Sequence, residues 1–171
     1  MGRWRAPQKP SSPYITADGA IKLKTELKEL WGKTRREVVR ALSDAAAEGD
    51  RSENAEYIYR KKQLAEIDRR IRYLSKRLDV IQVIDRLPDD RSTVRFGASV
   101  SVRDGSGKTR NYRIVGADET DAKRAWISID SPVARELLGK KEGARIKVKL
   151  PEETRQFTIL KIAYKEPMEN S

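Results

Sequence analysis

Between Leu64 and Ile81 the apolar residues Leu64, Ile67, Ile71, Leu74, Leu78 and Ile81 follow one another at intervals of 3, 4, 3, 4 and 3. That spacing lays a narrow apolar stripe along one side of an α-helix, and the stripe is stable in water only when another helix covers it. The chain offers a cover of its own. Upstream, Leu23, Leu27, Leu30, Val38, Ala41 and Ala45 can share a looser stripe, and Thr16 is a plausible N-cap for it. Each segment has roughly 30 residues and would span about 45 Å. Gly49 lies between them, where a helix C-terminus needs a left-handed residue. An antiparallel coiled-coil hairpin over residues 14–84 is therefore expected. Because such a hairpin satisfies its own seam, a monomer is expected too.

The turn of that hairpin is acidic. Asp44, Glu48, Asp50, Glu53 and Glu56 fall within "DAAAEGDRSENAE", with Arg51 as the only base. Local chemistry accounts for part of this. Asp50 and Glu53 have the spacing of a capping box, Ser52 is a competing N-cap, and carboxylates suit a helix N-terminus. Capping needs one or two acids, however, and Asp44 and Glu48 sit in the last turn of the first helix, where negative charge is mildly unfavourable. Metal binding is the other use. Mg²⁺ is commonly held by one or two carboxylates with waters and phosphates, so an exposed tip can complete a site half built elsewhere without owning one.

Past the tip, "RKKQLAEIDRRIRYLSKR" carries Arg60, Lys61, Lys62, Arg69, Arg70, Arg72, Lys76 and Arg77 against Glu66 and Asp68. With Leu64, Ile67, Ile71 and Leu74 on the seam, the bases are expected to project outward. They form either a solvated coiled-coil face or a track for a phosphate backbone. Tyr59 and Tyr73 are placed to stack on bases, and Tyr57 falls in the seam register.

After "RLPDDRSTVRFG" the period changes to two. "ASVSV", "NYRIV", "AWISI", "RIKVKL" and "QFTILKIAY" read as strands separated by turns such as "DGSGK" and "KKEGA". One short helix interrupts them, with Ser131 as N-cap, Pro132 as N1, "VARELL" as body and Gly139 as stop. The expected class is α+β: the hairpin, a linker at 85–93, and a small antiparallel-sheet domain over 94–171. Residues 1–13 read as a disordered basic arm without a secretory h-region.

Composition narrows the chemistry. The 171 residues include 37 Lys and Arg against 26 Asp and Glu, net charge +11, which points to nucleic acid or an acidic protein surface. There is no cysteine and no histidine, which argues against sulfur-built zinc sites and against a self-contained hydrolase with a histidine base. No apolar run is long enough to span a membrane, so no membrane partner and a cytoplasmic location are expected.

Two stretches, "GDRSENAEYIYRKKQLAEIDRRIRYLSKR" and "WISIDSPVARELLGKKEG", closely resemble the Gre-type bacterial transcript cleavage factors, the GreB branch in particular. The resemblance runs from about Tyr14 to Tyr164. It implies an FKBP-like C-terminal domain that docks on bacterial RNA polymerase, and a coiled coil that enters the polymerase secondary channel. There the tip would stimulate the polymerase's own cleavage of backtracked RNA, so the chain is not itself an enzyme. The family's catalytic and metal-binding acids fall on Asp50 and Glu53, sharing Mg²⁺ with the polymerase and binding no cofactor alone. Its RNA-contacting bases fall on Arg60, Lys61, Lys62, Arg69, Arg70 and Arg72, facing the extruded RNA 3′ end. Its docking loop falls on Asp130, Ser131 and Pro132. Two other functions compete with this one: a Gre-fold inhibitor of the same channel, and a coiled-coil nucleic-acid binder that needs no polymerase.

Overall fold

The computed structural model describes residues 9–49 and 53–165. The chain divides into two compact units, Ala20–Ile81 and a second made of Met1–Gly19 with Gln82–Ser171. Strand β1 (Tyr14–Thr16) leads into α1 (Ala17–Glu29), a π-helical turn (Leu30–Thr34) and α2 (Arg35–Ala47). The returning helix is α3 (Ala55–Val80), followed by β2 (Gln82–Ile84).

The seam forms between α2 and α3 as the periodicity predicts. Val38, Ile67 and Ile71 are buried against one another, with Leu27, Leu30 and Leu64 packed around them. The π turn explains why the first stripe looks loose. Leu23, Leu27 and Leu30 keep intervals of 4 and 3, and Val38, Ala41 and Ala45 keep 3 and 4, but Leu30 to Val38 is 8. A seam wants 7 there, and one extra residue is what a single π turn absorbs. Deleting Gly32, whose missing Cβ would meet nothing within 4 Å, should therefore leave one continuous α-helix with the seam intact. Thermal unfolding should show a midpoint at or above wild type. Deleting Gly32 and Lys33 together should rotate Leu27 and Leu30 off the seam and cost about 2–3 kcal/mol of their burial. Equal loss from both deletions would contradict this role for the turn.

The ends of the hairpin depart from expectation. The helix stops at Val80, and Ile81 is its extended C-cap residue rather than a last seam position. Beyond it, β2 pairs with β1 in parallel, Ile15 opposite Val83, and Gln82 N–H donates to Pro13 O at 2.8 Å. Thr16 is the N-cap of α1 as expected, its Oγ1 accepting from Gly19 N–H at 3.1 Å. Within the second unit, the Glu119 carboxylate ties Thr16 to the loop after the strand that ends at Val115. It accepts from Thr16 N–H at 3.0 Å, from the Thr16 hydroxyl, and from Gly116 N–H at 2.9 Å.

The sheet contains β3 (Ser99–Asp104), β4 (Thr109–Val115), β5 (Trp126–Ser128), β6 (Arg145–Lys149) and β7 (Thr154–Ala163), in the order β5-β4-β3-β7-β6. Alternation places Val100, Val102, Ile114, Ile146, Val148, Phe157 and Ile159 in the core. A bulge then changes parity: Ser101 faces Lys161 while Val102 faces Ile159, so Leu160 is unpaired and Ile162 becomes the next inward residue. One pair is not antiparallel as expected. Strands β4 and β5 run parallel, because residues 116–125 carry the chain back before β5 begins. Helix α4 (Pro132–Leu137) buries Ala134 and Leu137 against the sheet and ends before Gly139, φ 78°.

Residues 85–93, expected as a linker, finish inside the sheet unit. Asp90 accepts from Ser92 and Thr93, and these bonds hold its carboxyl down at about 2. Thr93 is buried, and its carbonyl accepts from the Tyr164 hydroxyl at 2.5 Å. No helix among the described residues is long and apolar enough to cross a membrane.

Candidate functional site: an acidic tip and a basic helix face

The tip is built by how two helices stop and start. Helix α2 ends at Ala47, Glu48 N–H bonds back to Ala45 O at 3.3 Å, and Gly49 takes a positive φ of 139°. Helix α3 is capped by Asn54, whose Oδ1 accepts from Tyr57 N–H at 3.0 Å. The capping box expected from Asp50 and Glu53, and the alternative cap at Ser52, give way to this residue. The helix begins one turn later than that spacing implied, so Glu53 precedes the cap instead of standing at its third position. Asp50, Arg51 and Ser52 lie outside the described residues.

The consequence is chemical. The Glu53 side chain is exposed and has no hydrogen bond or ion pair among the described residues. Asp44 and Glu48 are exposed as well. Glu56 is engaged, accepting from Arg60 Nε at 2.7 Å. Among the described residues no group of three or more acidic side chains is arranged to hold a metal ion.

The basic run does not project outward as a whole. Arg60 lies one heptad before Ile67, in the seam register, and binds Glu56 and Gln63. Arg77, on the flank of Leu74 and Leu78, is 8% exposed. Arg70 faces the first helix and holds both Glu26 carboxylate oxygens, through Nε at 2.6 Å and Nη2 at 2.8 Å. That leaves Lys61, Lys62, Arg69, Arg72 and Lys76 exposed without an ion pair among the described residues. Lys62, Arg69, Arg72 and Lys76, at intervals of 7, 3 and 4, share the face opposite the seam. Tyr59 and Tyr73 are exposed, each beneath a guanidinium at 5.3 Å, that of Arg60 and of Arg70 respectively. Tyr57 is half-buried. The face combines exposed cations with exposed aromatic rings, the two groups that hold single-stranded nucleic acid.

In the sheet unit, the turn Asp130–Pro132 starts α4. Ser131 Oγ accepts from Ala134 N–H at 3.2 Å and Pro132 takes N1, as the sequence predicts. The Asp130 Oδ2 accepts from Ser12 N–H at 2.8 Å. The arm expected to be free through residue 13 is thus tied down at Ser12, while residues 1–8 lie outside the described part. Sequence reasoning missed Asn54 and Glu119. Asn54 carried a usable signal, since Asn is a preferred N-cap and "AEY" follows it; Glu119 carried none.

Two family models match the chain. "Transcription elongation factor, N-terminal" covers residues 13–83 and "Transcription elongation factor, GreA/GreB, C-term" covers residues 88–164. The transcription elongation factor GreB of Xanthomonas axonopodis pv. citri is 56% identical over 165 residues, 96% of this chain and 98% of that protein. GreB of Pseudomonas aeruginosa is 48% identical over 96% of this chain and 98% of its own length. GreB of Pasteurella multocida is 55% identical over 82% and 89% respectively.

Proposed function

The chain belongs to the GreA/GreB family of transcription elongation factors, and on that premise we propose that it stimulates bacterial RNA polymerase to cleave its own backtracked transcript. The sheet unit docks on the polymerase through the turn at Asp130, Ser131 and Pro132. The hairpin enters the secondary channel and brings Asp50 and Glu53 to the polymerase active site. The chain is a donor of side chains and not an enzyme by itself. The observation that carries this reading is Glu53: a carboxylate at a helix start, released from capping by Asn54 and left exposed without a partner among the described residues.

Carboxylate oxygens suit Mg²⁺, a hard cation commonly held by one or two carboxylates together with waters and phosphates, so Asp50 and Glu53 would share the ion with the polymerase. When bound, such an ion would supply charge neutralisation and activation of water. The chain's own residues do the rest. Glu53 and Asp50 hold or orient the ion and the attacking water. Lys61, Lys62, Arg69 and Arg72 pair with phosphates of the extruded RNA, and Tyr59 and Tyr73 offer faces to its bases. Arg60 and Arg70, engaged by Glu56 and Glu26, contribute less to that track.

Two measurements separate docking from RNA contact. Asp130→Ala or Pro132→Ala should raise Kd for core RNA polymerase about tenfold, some 1.4 kcal/mol, while Glu53→Gln leaves Kd unchanged. Unweakened binding by both docking variants would remove that turn from the interface. Charge reversal at Lys62, Arg69 and Arg72 should slow release of long 3′ fragments from deeply backtracked complexes by about tenfold or more and flatten the salt dependence. Undiminished long-fragment cleavage would leave these bases as an ordinary solvated face. Tight binding to free RNA, with no effect of polymerase, would favour a plain nucleic-acid binder.

A further inference from the structure

The side-chain amide of Asn54 touches both ends of the hairpin turn. Its Oδ1 accepts from Tyr57 N–H at 3.0 Å, capping α3. Its Nδ2 donates to Ala45 O at 2.7 Å, in the last turn of α2. The amide orientation is forced, since a backbone N–H needs an acceptor on one side and a carbonyl needs a donor on the other. Carbonyls of a last helical turn lack intrahelical partners, and Glu48 N–H reaches this one only at 3.3 Å.

A cap alone does not require asparagine. Asp, Ser and Thr serve about as well at that position. Capping one helix and stapling the other takes an acceptor and a donor at once, which the Asn amide carries on two separate atoms and an aspartate does not have. The residue immediately before the staple is Glu53. Gly49, at the end of α2, has φ 139°, and a Cβ there would meet nothing within 4 Å among the described residues.

We infer that Asn54 is a positioning residue for the tip carboxylate, fixing where Glu53 stands by stapling the end of α2 to the start of α3. The inference rests on the proposed cleavage function, in which Glu53 acts. Two hydrogen bonds from one short side chain set the spacing of the helix ends. A carboxylate displaced by an ångström or so loses most of its contribution to an assembled active site.

Asn54→Asp tests this with the full chain. Aspartate has the same shape and remains a good cap, with a charge that suits a helix N-terminus. It cannot donate to Ala45 O, and it sets an anion against that oxygen. Circular dichroism and thermal unfolding should be little changed, within about 2 °C, and Kd for RNA polymerase should stay within about twofold. Stimulated cleavage should fall about ten- to a hundredfold. Hydrogen exchange should quicken across residues 46–49 while the Tyr57 amide stays protected. Asn54→Ala, which loses both bonds, should lower cleavage and also lower the helix melting point. Wild-type cleavage by Asn54→Asp would overturn the inference and leave Asn54 as a cap only. A wild-type chain that binds polymerase and cleaves nothing would overturn the proposed function instead, and the positioning role with it.

Discussion

Gly116→Ala should destabilise the sheet unit by about 2–4 kcal/mol in urea denaturation, the largest loss expected from any of the described glycines. An added Cβ would stand 2.4 Å from Tyr14 O, 2.9 Å from Glu119 Oε2 and 3.3 Å from Ile15 Cα. The nearest of these is backbone in a paired strand, so it cannot rotate away. Relief requires β1 to leave its seat. That exposes Ile15, which is wholly buried, and breaks the bonds from Thr16 to Glu119. Burial of an isoleucine contributes about 1.5–3 kcal/mol and each hydrogen bond about 1. Gly32→Ala is the matched control, because its Cβ meets nothing within 4 Å and alanine is the better helix former. Wild-type stability in Gly116→Ala would mean that β1 is not held against the loop after β4.

The same junction marks where the sequence stopped being informative. The returning helix was legible because its 3-and-4 spacing is a direct imprint of burial along one face, and Ile67, Ile71 and Leu74 are buried as that spacing requires. The first helix was legible only in halves. A π turn adds one residue without adding an apolar one, so its effect on sequence is a broken repeat and not a signal of its own. Strands β1 and β2 have three residues each, too few to show a period. Nor does a three-residue strand such as β5 record its direction; that is set by how residues 116–125 fold. Leu160 shows a related limit, since alternation along β7 continues to look regular until the bulge shifts it.

At the candidate site, charge was readable and facing was not. Arg60, Arg70 and Arg77 look equivalent to Arg69 and Arg72 in a list of bases. Their differences come from the register of α3 against the first helix, which brings Glu26 to Arg70 and turns Arg77 inward. The D-x-x-E spacing at the tip imitated a capping box closely enough to conceal the true cap four residues on. The bond from Ser12 N–H to the Asp130 carboxylate joins residues 118 apart. Nothing local announces such a contact.

The second large effect concerns the tip acids. Glu53→Gln keeps the shape of the side chain and removes its charge, which leaves a far poorer ligand for a divalent ion and no means of polarising water. Because Asn54 caps α3, the exchange should not lower helix stability. Stimulated cleavage should fall by about a hundredfold or more, in the range seen when a preorganised charge is taken from an active site. Asp50→Asn should act in the same direction. A loss of unfolding temperature in step with the loss of cleavage would instead make these acids structural.

The most direct measurement places the chain on backtracked bacterial elongation complexes carrying a 3′-labelled transcript, in Mg²⁺ buffer. Wild-type protein should release short labelled 3′ fragments. Glu53→Gln and Asp50→Asn, at concentrations that occupy the polymerase equally, should release them about a hundredfold more slowly. Fragments at wild-type rate from both variants, or none from a wild-type chain that binds, would contradict the claim that the hairpin tip lends its carboxylates to the polymerase.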